Sequence, residues 1–281
     1  MPMTLEQFIR HATDRLAAAS LSPRLDAEVL LMHITGLART ALITRAQEPL
    51  SPEQEDRLHE LLARRARGEP VAYLTGKREF WSLELNVTPD VLIPRPETEL
   101  LVEQALERIP VDADWTIADL GTGSGAVALA IAGERPRCRL IATDASAAAL
   151  GVARRNAQQL HINNIEFRQG DWLAPIAGTQ LDMLVSNPPY VREDDPHLLQ
   201  GDVRFEPKSA LAAGADGLDA IRRIIAASGT SLKAGAWLLL EHGYDQGLAA
   251  RTLLVAHGYH SVTSCRDLAG HERVSAGRWP G

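Results

Sequence analysis

Cysteine is almost missing from this chain, with Cys138 and Cys265 the only two among 281 residues. Two cysteines do not make a disulfide scaffold, and so low a count fits a reducing cytoplasm. Long apolar runs are lacking too. No stretch approaches the roughly 20 residues that a bilayer-spanning helix needs. The opening MPMTLEQFIRHATDRL has no basic segment followed by an apolar one, so it reads as an amphipathic helix and not as a secretory signal. Neither a membrane partner nor export is expected. Basic excess is also absent, the formal net charge being −7. Proteins that grip many phosphates carry the opposite balance, so no direct nucleic-acid partner is expected. The one basic stretch, Arg64, Arg65, Arg67, Lys77 and Arg78, reads as a solvated helix face and linker. The nine histidines are scattered, and His257 and His260 lack a cysteine or carboxylate at ligand spacing, which argues against a metal site. Internal repeats and low-complexity tracts are absent. What is present, 45% hydrophobic and 23% charged residues, suits a globular α/β core with one smaller appended domain.

Up to about residue 68 the pattern is helical. Leu5, Phe8, Ile9, Ala12 and Leu16 recur at helical spacing, as do Ala27, Leu30, Leu31 and Ile34. Ser22-Pro23 and Ser51-Pro52 are start signals, Gly36 closes the helix after the first, and Gly68-Glu69-Pro70 breaks the pattern. From Leu83 the period changes to two, and Thr88-Pro89-Asp90 looks like a turn joining Leu83–Val87 to Val91–Ile93 in a hairpin. Beyond residue 115, short apolar strands at 116–120, 139–143, 165–169, 181–186 and 236–241 alternate at first with helical stretches near 125–133, 146–160 and, weakly, 171–177. That alternation predicts a mostly parallel sheet covered by helices on both faces. After a helix near 245–257, the segments 259–265 and 272–279 are too close for a crossover, so the last strand is expected to be antiparallel. Asp216-Gly217 and its small neighbours read only as a loop. The expected divisions are a helical domain over 1–78, a hairpin linker over 79–94 and an α/β domain over 95–281.

The strand 116–120 runs into Gly121-Thr122-Gly123-Ser124-Gly125 and then a helix. Glycines permit positive φ and close approach of a ligand, and the helix start offers unpaired N–H groups. Alone, this loop also satisfies a dinucleotide-binding pattern, or is simply a tight turn. The next strand ends in Asp144, placed for ribose hydroxyls, and the following one in Gly170-Asp171-Trp172. Asp171 is suited to accept from an adenine amino group or to cap the next short helix, and Trp172 to cover the adenine ring. Asp119, Asp144 and Asp171 around one pocket would repel a pyrophosphate and favour a sulfonium and an ammonium. They tilt the reading to S-adenosylmethionine.

The strand 181–186 delivers Asn187-Pro188-Pro189-Tyr190 to the same edge of the sheet. Two prolines stiffen the turn, remove two N–H donors and leave carbonyl oxygens, to which Asn187 adds a side-chain acceptor. Two acceptors on a rigid turn match the two hydrogens of a planar NH2 group, and Tyr190 is placed to stack on that group. Asn187, Pro188 and Tyr190 are therefore the candidate catalytic residues, with Pro189 completing the substrate clamp and Asn187 also beside the cofactor. Three alternatives remain on the residues alone. They are a nitrogen methyltransferase acting on a nucleic-acid base or a ribosomal-protein glutamine, a non-catalytic cofactor-binding module, and a nicotinamide-dependent enzyme.

The glycine loop, the acid after the second strand of the α/β domain and Asn187 to Tyr190 resemble class I methyltransferases that act on exocyclic or amide nitrogens. Over nearly its whole length the chain resembles the HemK-type peptide-chain release factor glutamine methyltransferases. The matching stretches are Gly68 to Gly76, Phe80-Trp81, Leu92 to Glu99, the glycine loop, Asn187 to Tyr190 and Asp202 to Pro207. The resemblance implies a Rossmann-like class I methyltransferase domain behind a helical substrate-recognition domain and a hairpin linker. It implies S-adenosylmethionine held by Gly121, Thr122, Gly123, Ser124, Gly125 and Asp144 beside Trp172, with S-adenosylhomocysteine as product. It also implies a protein substrate, the Gly-Gly-Gln glutamine of bacterial class I release factors. Its amide would lie against Asn187, the Pro188 carbonyl and Tyr190, with the loop 191–208 shaping the channel.

Overall fold

The computed structural model describes residues 2–281. They divide into two compact units, one running to Lys77 and including Leu199–Phe205, the other made of Arg78–Leu198 and Glu206–Gly281.

The first unit is helical: α1 (Leu5–Leu16), α2 (Pro23–Thr35), α3 (Arg39–Thr44), α4 (Pro52–Ala66) and α5 (Val71–Thr75). Thr4 and Ser51 each close a capping box with the glutamine three residues on, at α1 and α4. Gly36 and Gly76 end α2 and α5 in the left-handed conformation that glycine adopts without strain. Phe8, Leu16, Leu30, Leu31, Leu58 and Leu62 form its fully buried core. One part of the basic stretch is not solvated. Arg65 is buried on α4, its Nε donating to Asp26 at 2.7 Å and its guanidinium to Asp202 at 2.8 Å. Asp202 lies in the distant segment that packs with this unit, which linear sequence does not reveal. Arg64 pairs with Glu69 at 2.5 Å.

The hairpin is displaced from the expected position. Its strands are β1 (Lys77–Phe80) and β2 (Leu83–Asn86), joined by Trp81 and Ser82, both at positive φ. A two-residue turn normally advertises itself through glycine or asparagine, and here it has neither, so the Thr88-Pro89-Asp90 turn drew the reading downstream. Val91–Ile93 forms no strand.

In the second unit, β3 (Thr116–Leu120), β4 (Arg139–Asp144), β5 (Ile165–Gln169), β6 (Leu181–Ser186), β7 (Leu232–Glu241), β8 (His260–Arg266) and β9 (Glu272–Arg278) form one sheet in the order 5-4-3-6-7-9-8. The first five are parallel, and β9 runs antiparallel to both its neighbours. Alternate residues feed opposite faces. Ile117, Met183, Val185 and Leu239 pack with α6 (Glu99–Arg108) and α7 (Ala126–Glu134), while Ala118, Leu184, Leu238 and Leu240 pack with α9 (Asp219–Ser228) and α10 (Gly247–Ala256). Burial on both faces explains why these strands are almost continuously apolar. α8 (Ala147–Gln159) joins β4 to β5.

Helix α9 was hidden in the sequence behind the glycines and alanines at 212–217. It buries Ile221, Ile224 and Ile225 and makes the crossover from β6 to β7. The weak helix expected at 171–177 is only a 3-10 turn, Ala174–Ile176, since Pro175 and Gly178 leave no room for a longer one. In this class of sheet the ligand edge lies at the carboxyl ends of the parallel strands. Here that edge carries Gly121, Asp144, Asp171, Asn187 and Glu241.

Candidate functional site

Beyond β3, the loop turns through Gly121, Gly123 and Gly125, all at positive φ, and enters α7. Asp144, at the end of β4, holds this loop. One oxygen accepts from the Gly123 N–H at 3.0 Å, the other from the Ser146 N–H at 2.8 Å. Each carboxylate oxygen keeps a second lone pair for a ligand hydroxyl. A cavity of about 390 Å³ opens here, lined by Gly121, Gly123, Asp144, Asp171, Trp172 and Asn187 among others. Seven residues singled out from sequence, Pro189 among them, are thus brought to one space, together with Leu92 and Pro207 from two of the stretches that carry the family resemblance.

The remaining loop residues divide. Asp119, Thr122 and Ser124 line an adjoining small cavity of about 50 Å³, with Thr98 and Asn187. Asp119 is buried and accepts from the Thr122 hydroxyl at 2.6 Å. Burial pushes its pKa up to about 7, the Thr122 hydroxyl and a backbone N–H opposing and the nearby Asp144 reinforcing the rise. A cation in the cavity would restore its charge. Gly125 lines neither space. A Cβ there would come within 3.0 Å of Leu129 and 3.2 Å of Ala153, so this glycine serves the packing of α7 against α8. Asp171 caps no helix with its side chain, and its carboxylate is paired with Arg223 of α9. Arg223 is a partner that only the unforeseen helix supplies.

The turn after β6 is held from three sides. Asn187 Nδ2 donates to the Thr98 hydroxyl at 3.0 Å. Its amide NH2 is therefore committed to Thr98, and Oδ1 is left without that partner. Asn187, Pro188 and Tyr190 share a further small cavity of about 40 Å³ with Leu92 and Arg95. The Tyr190 hydroxyl does not end in solvent but donates to Glu241 at the end of β7, at 3.2 Å. Burial, followed by the charge of Glu241, lifts the Tyr190 pKa well above the usual phenol range. The Tyr190 backbone carbonyl accepts from Gln246 at 3.0 Å, and Gly217 lies so close to that carbonyl that a side chain there would collide with it.

Thr98, Arg95, Glu206 and Glu241 were not assigned roles from the residue pattern. Glu206 has a fully buried side chain, accepts from the Ile93 N–H at 3.0 Å and pairs with Arg95, so Glu206 and the Ile93-Pro94-Arg95 segment are pinned to each other. Glu241 is legible only in hindsight, as a lone acid closing the apolar run Ala236–Leu240.

Comparison with known proteins fits this architecture. Residues 7–76 match the family described as the PrmC N-terminal domain and residues 96–201 the Methyltransferase small domain. Over 277 residues the chain is 52% identical to the release factor glutamine methyltransferase of Escherichia coli (strain K12), covering 99% of each chain. It is 53% identical over 272 residues to that of Burkholderia pseudomallei (strain K96243), covering 95% of each. The fold is shared with the T. Thermophilus 16S rRNA N2 G1207 methyltransferase (RsmC), solved in complex with AdoMet and guanosine. The TM-score is 0.54 at 15% identity, covering 72% of this chain and 49% of that one. The strand order, the antiparallel β9 and the glycine loop at the carboxyl edge define a class I methyltransferase fold. Sequence identity above half over nearly the whole length then narrows the class: the chain belongs to the release factor glutamine methyltransferase family.

Proposed function

We propose that this enzyme transfers a methyl group from S-adenosylmethionine to the side-chain amide nitrogen (N5) of the glutamine in the Gly-Gly-Gln motif of bacterial class I peptide chain release factors. The modification acts in the cytoplasm and modulates translation termination. The observation that carries the reading is the Asn187–Thr98 hydrogen bond of 3.0 Å. It commits the Asn187 NH2 to Thr98 and frees Oδ1, which we assign together with the Pro188 carbonyl as the two acceptors for the two hydrogens of a primary amide.

The chain's donor set fits the cofactor. Asp144 offers free lone pairs on both carboxylate oxygens, Trp172 gives an aromatic face, Asp119 lies beneath the glycine loop, and all sit at the carboxyl edge of the sheet. When bound there, S-adenosylmethionine supplies the methyl group on a sulfonium and leaves as S-adenosylhomocysteine. The residues of the turn do the rest. Asn187 and Pro188 engage both amide hydrogens and fix the nitrogen's face towards the methyl carbon. As the new N–C bond forms, positive charge grows on the nitrogen and the two acceptors stabilise it without reorganising. The acidity of the N–H rises with that charge, and the proton then passes to water. The helical unit is assigned the task of gripping the protein substrate away from the reacting atom.

Mass spectrometry after incubation with S-adenosylmethionine tests the assignment, using a Gly-Gly-Gln peptide and the intact release factor. A gain of one methyl on the glutamine is expected, faster on the intact protein. Labelling of DNA or ribosomes in place of the release factor would refute it. Replacing Asp144 by Ala removes the ribose acceptor and unties Gly123. One charge-assisted contact contributes about 1.5–3 kcal/mol, so calorimetry should show cofactor affinity lowered by about 10- to 150-fold.

A further inference from the structure

Behind the Asn187 turn lies a buried acid with an unexplained oxygen. Glu241 is 1% exposed at the end of β7. Its strand is parallel to β6, with Ser186 opposite Leu240, so the next position along each strand is Asn187 on one and Glu241 on the other. Glu241 Oε1 accepts from the Tyr190 hydroxyl at 3.2 Å. Oε2, fully enclosed, makes no hydrogen bond of normal geometry among the described residues. A buried orphan of this kind calls for an explanation.

Thr98 supplies one. Its hydroxyl accepts from Asn187 Nδ2 and the residue is 4% exposed, so its own proton is available to a buried acceptor. It lies close enough to the Glu241 carboxyl to favour the ionised form. An oxygen lacking a donor and a hydroxyl lacking an acceptor thus stand side by side. We propose that Glu241 is a positioning residue that acts through Thr98 to fix which way round the Asn187 carboxamide sits. With Glu241 ionised, Thr98 donates to it and can only accept from Asn187, so Oδ1 faces the substrate. With Glu241 protonated, its own O–H can donate to Thr98. The Thr98 proton is then free to point at Asn187, and the carboxamide can turn over and present NH2 to an amide that needs an acceptor.

The groups facing Glu241 set where this happens. Burial raises its pKa to about 7, opposed by the Thr98 and Tyr190 hydroxyls and by Arg273 of β9, and reinforced by Glu97 ahead of α6. The neighbouring His242 is turned to Ser275 and to the Gly243 carbonyl. The raised value means that the ionised, productive form predominates above about pH 7 and is lost as pH falls through it. Asp119 titrates in the same range, so the informative quantity is the difference between wild type and variant.

The proposal rests on the amide-methylating role of Asn187, and two measurements keep the two ideas apart. In the substrate-free protein, the side-chain NH2 resonance of Asn187 in a ¹⁵N-correlated spectrum should shift with a midpoint near pH 7, and the shift should vanish in Glu241→Gln. An Asn187 resonance that responds alike in both proteins would overturn the proposal, whatever the substrate is. In release factor methylation, Glu241→Gln should lower kcat by about 10- to 100-fold with unchanged cofactor affinity, and its kcat profile between pH 6 and 8.5 should lose the wild-type fall below 7. Thr98→Val should cost as much, Thr98→Ser should restore activity, and the double variant should be no worse than either single one, as expected of residues acting in one chain. Wild-type kcat in Glu241→Gln at every pH, or additive losses in the double variant, would equally overturn it. If wild type methylates no release factor, the functional assignment fails, and the Asn187 resonance alone decides the role of Glu241.

Discussion

Replacing Asn187 by Ala should abolish most turnover while leaving cofactor affinity within about tenfold of wild type. The asymmetry follows from where the side chain sits. Asn187 only borders the 390 Å³ cavity, whose glycine loop is held by Asp144 independently of it. Its amide is held by Thr98, and in the proposed reaction Oδ1 is one of two acceptors for the charge that develops on the nitrogen. Removing one such preorganised partner from an enclosed site typically lowers kcat by about 10²–10³-fold. Single-turnover methylation and calorimetry with S-adenosylmethionine measure the two quantities separately. Comparable losses in both would mean that the turn holds the cofactor pocket together and has no special part in the chemistry.

A second large effect is expected in the helical unit, from Arg65→Met. Arg65 contacts two carboxylates, but they are not equivalent. The Asp202 side chain is 44% exposed, so that arm is screened by water and contributes little. Asp26 is 10% exposed, and without Arg65 its charge is stranded inside the unit. Breaking a buried pair from one side costs about 3–5 kcal/mol. Urea unfolding followed by circular dichroism should show the helical unit melting at much lower denaturant. Removing Asp26 as well, as Arg65→Met with Asp26→Leu, should recover most of the loss, because it is the unpaired charge and not the missing arginine that destabilises. If the double variant is as unstable as the single one, the arginine's packing and not its charge is what matters.

The two halves of the chain were legible to different degrees. Strands β3, β5 and β6 begin and end where the pattern of strand and helix segments places them, because each is short and runs directly into glycine or asparagine. The capping signals at Ser51 and Gly36 are likewise local chemistry, readable from a few neighbouring residues. The hairpin was misplaced because Trp81 and Ser82 adopt positive φ without the usual sequence mark. Helix α9 was missed because its start follows a glycine-rich stretch that resembles a loop. Its isoleucines become a core face only against β7.

In the site, the same division holds. Gly121, Asp144 and Asn187 were visible because each sits at the carboxyl end of an apolar strand or one step beyond it, where an α/β sheet presents its ligand edge. The sequence by itself determined the α/β order, the stiff carbonyl-lined turn at Asn187-Pro188-Pro189-Tyr190 and the acids around the glycine loop, since these depend on residues adjacent in the chain. The tertiary structure alone decided that the Asn187 amide is held by Thr98, 89 residues away, that Tyr190 donates to Glu241, 51 residues on, and that Asp171 pairs with Arg223. Hydrogen bonds across such separations depend on the register of parallel strands and on which helix closes the crossover. No local pattern of residue types encodes either of them.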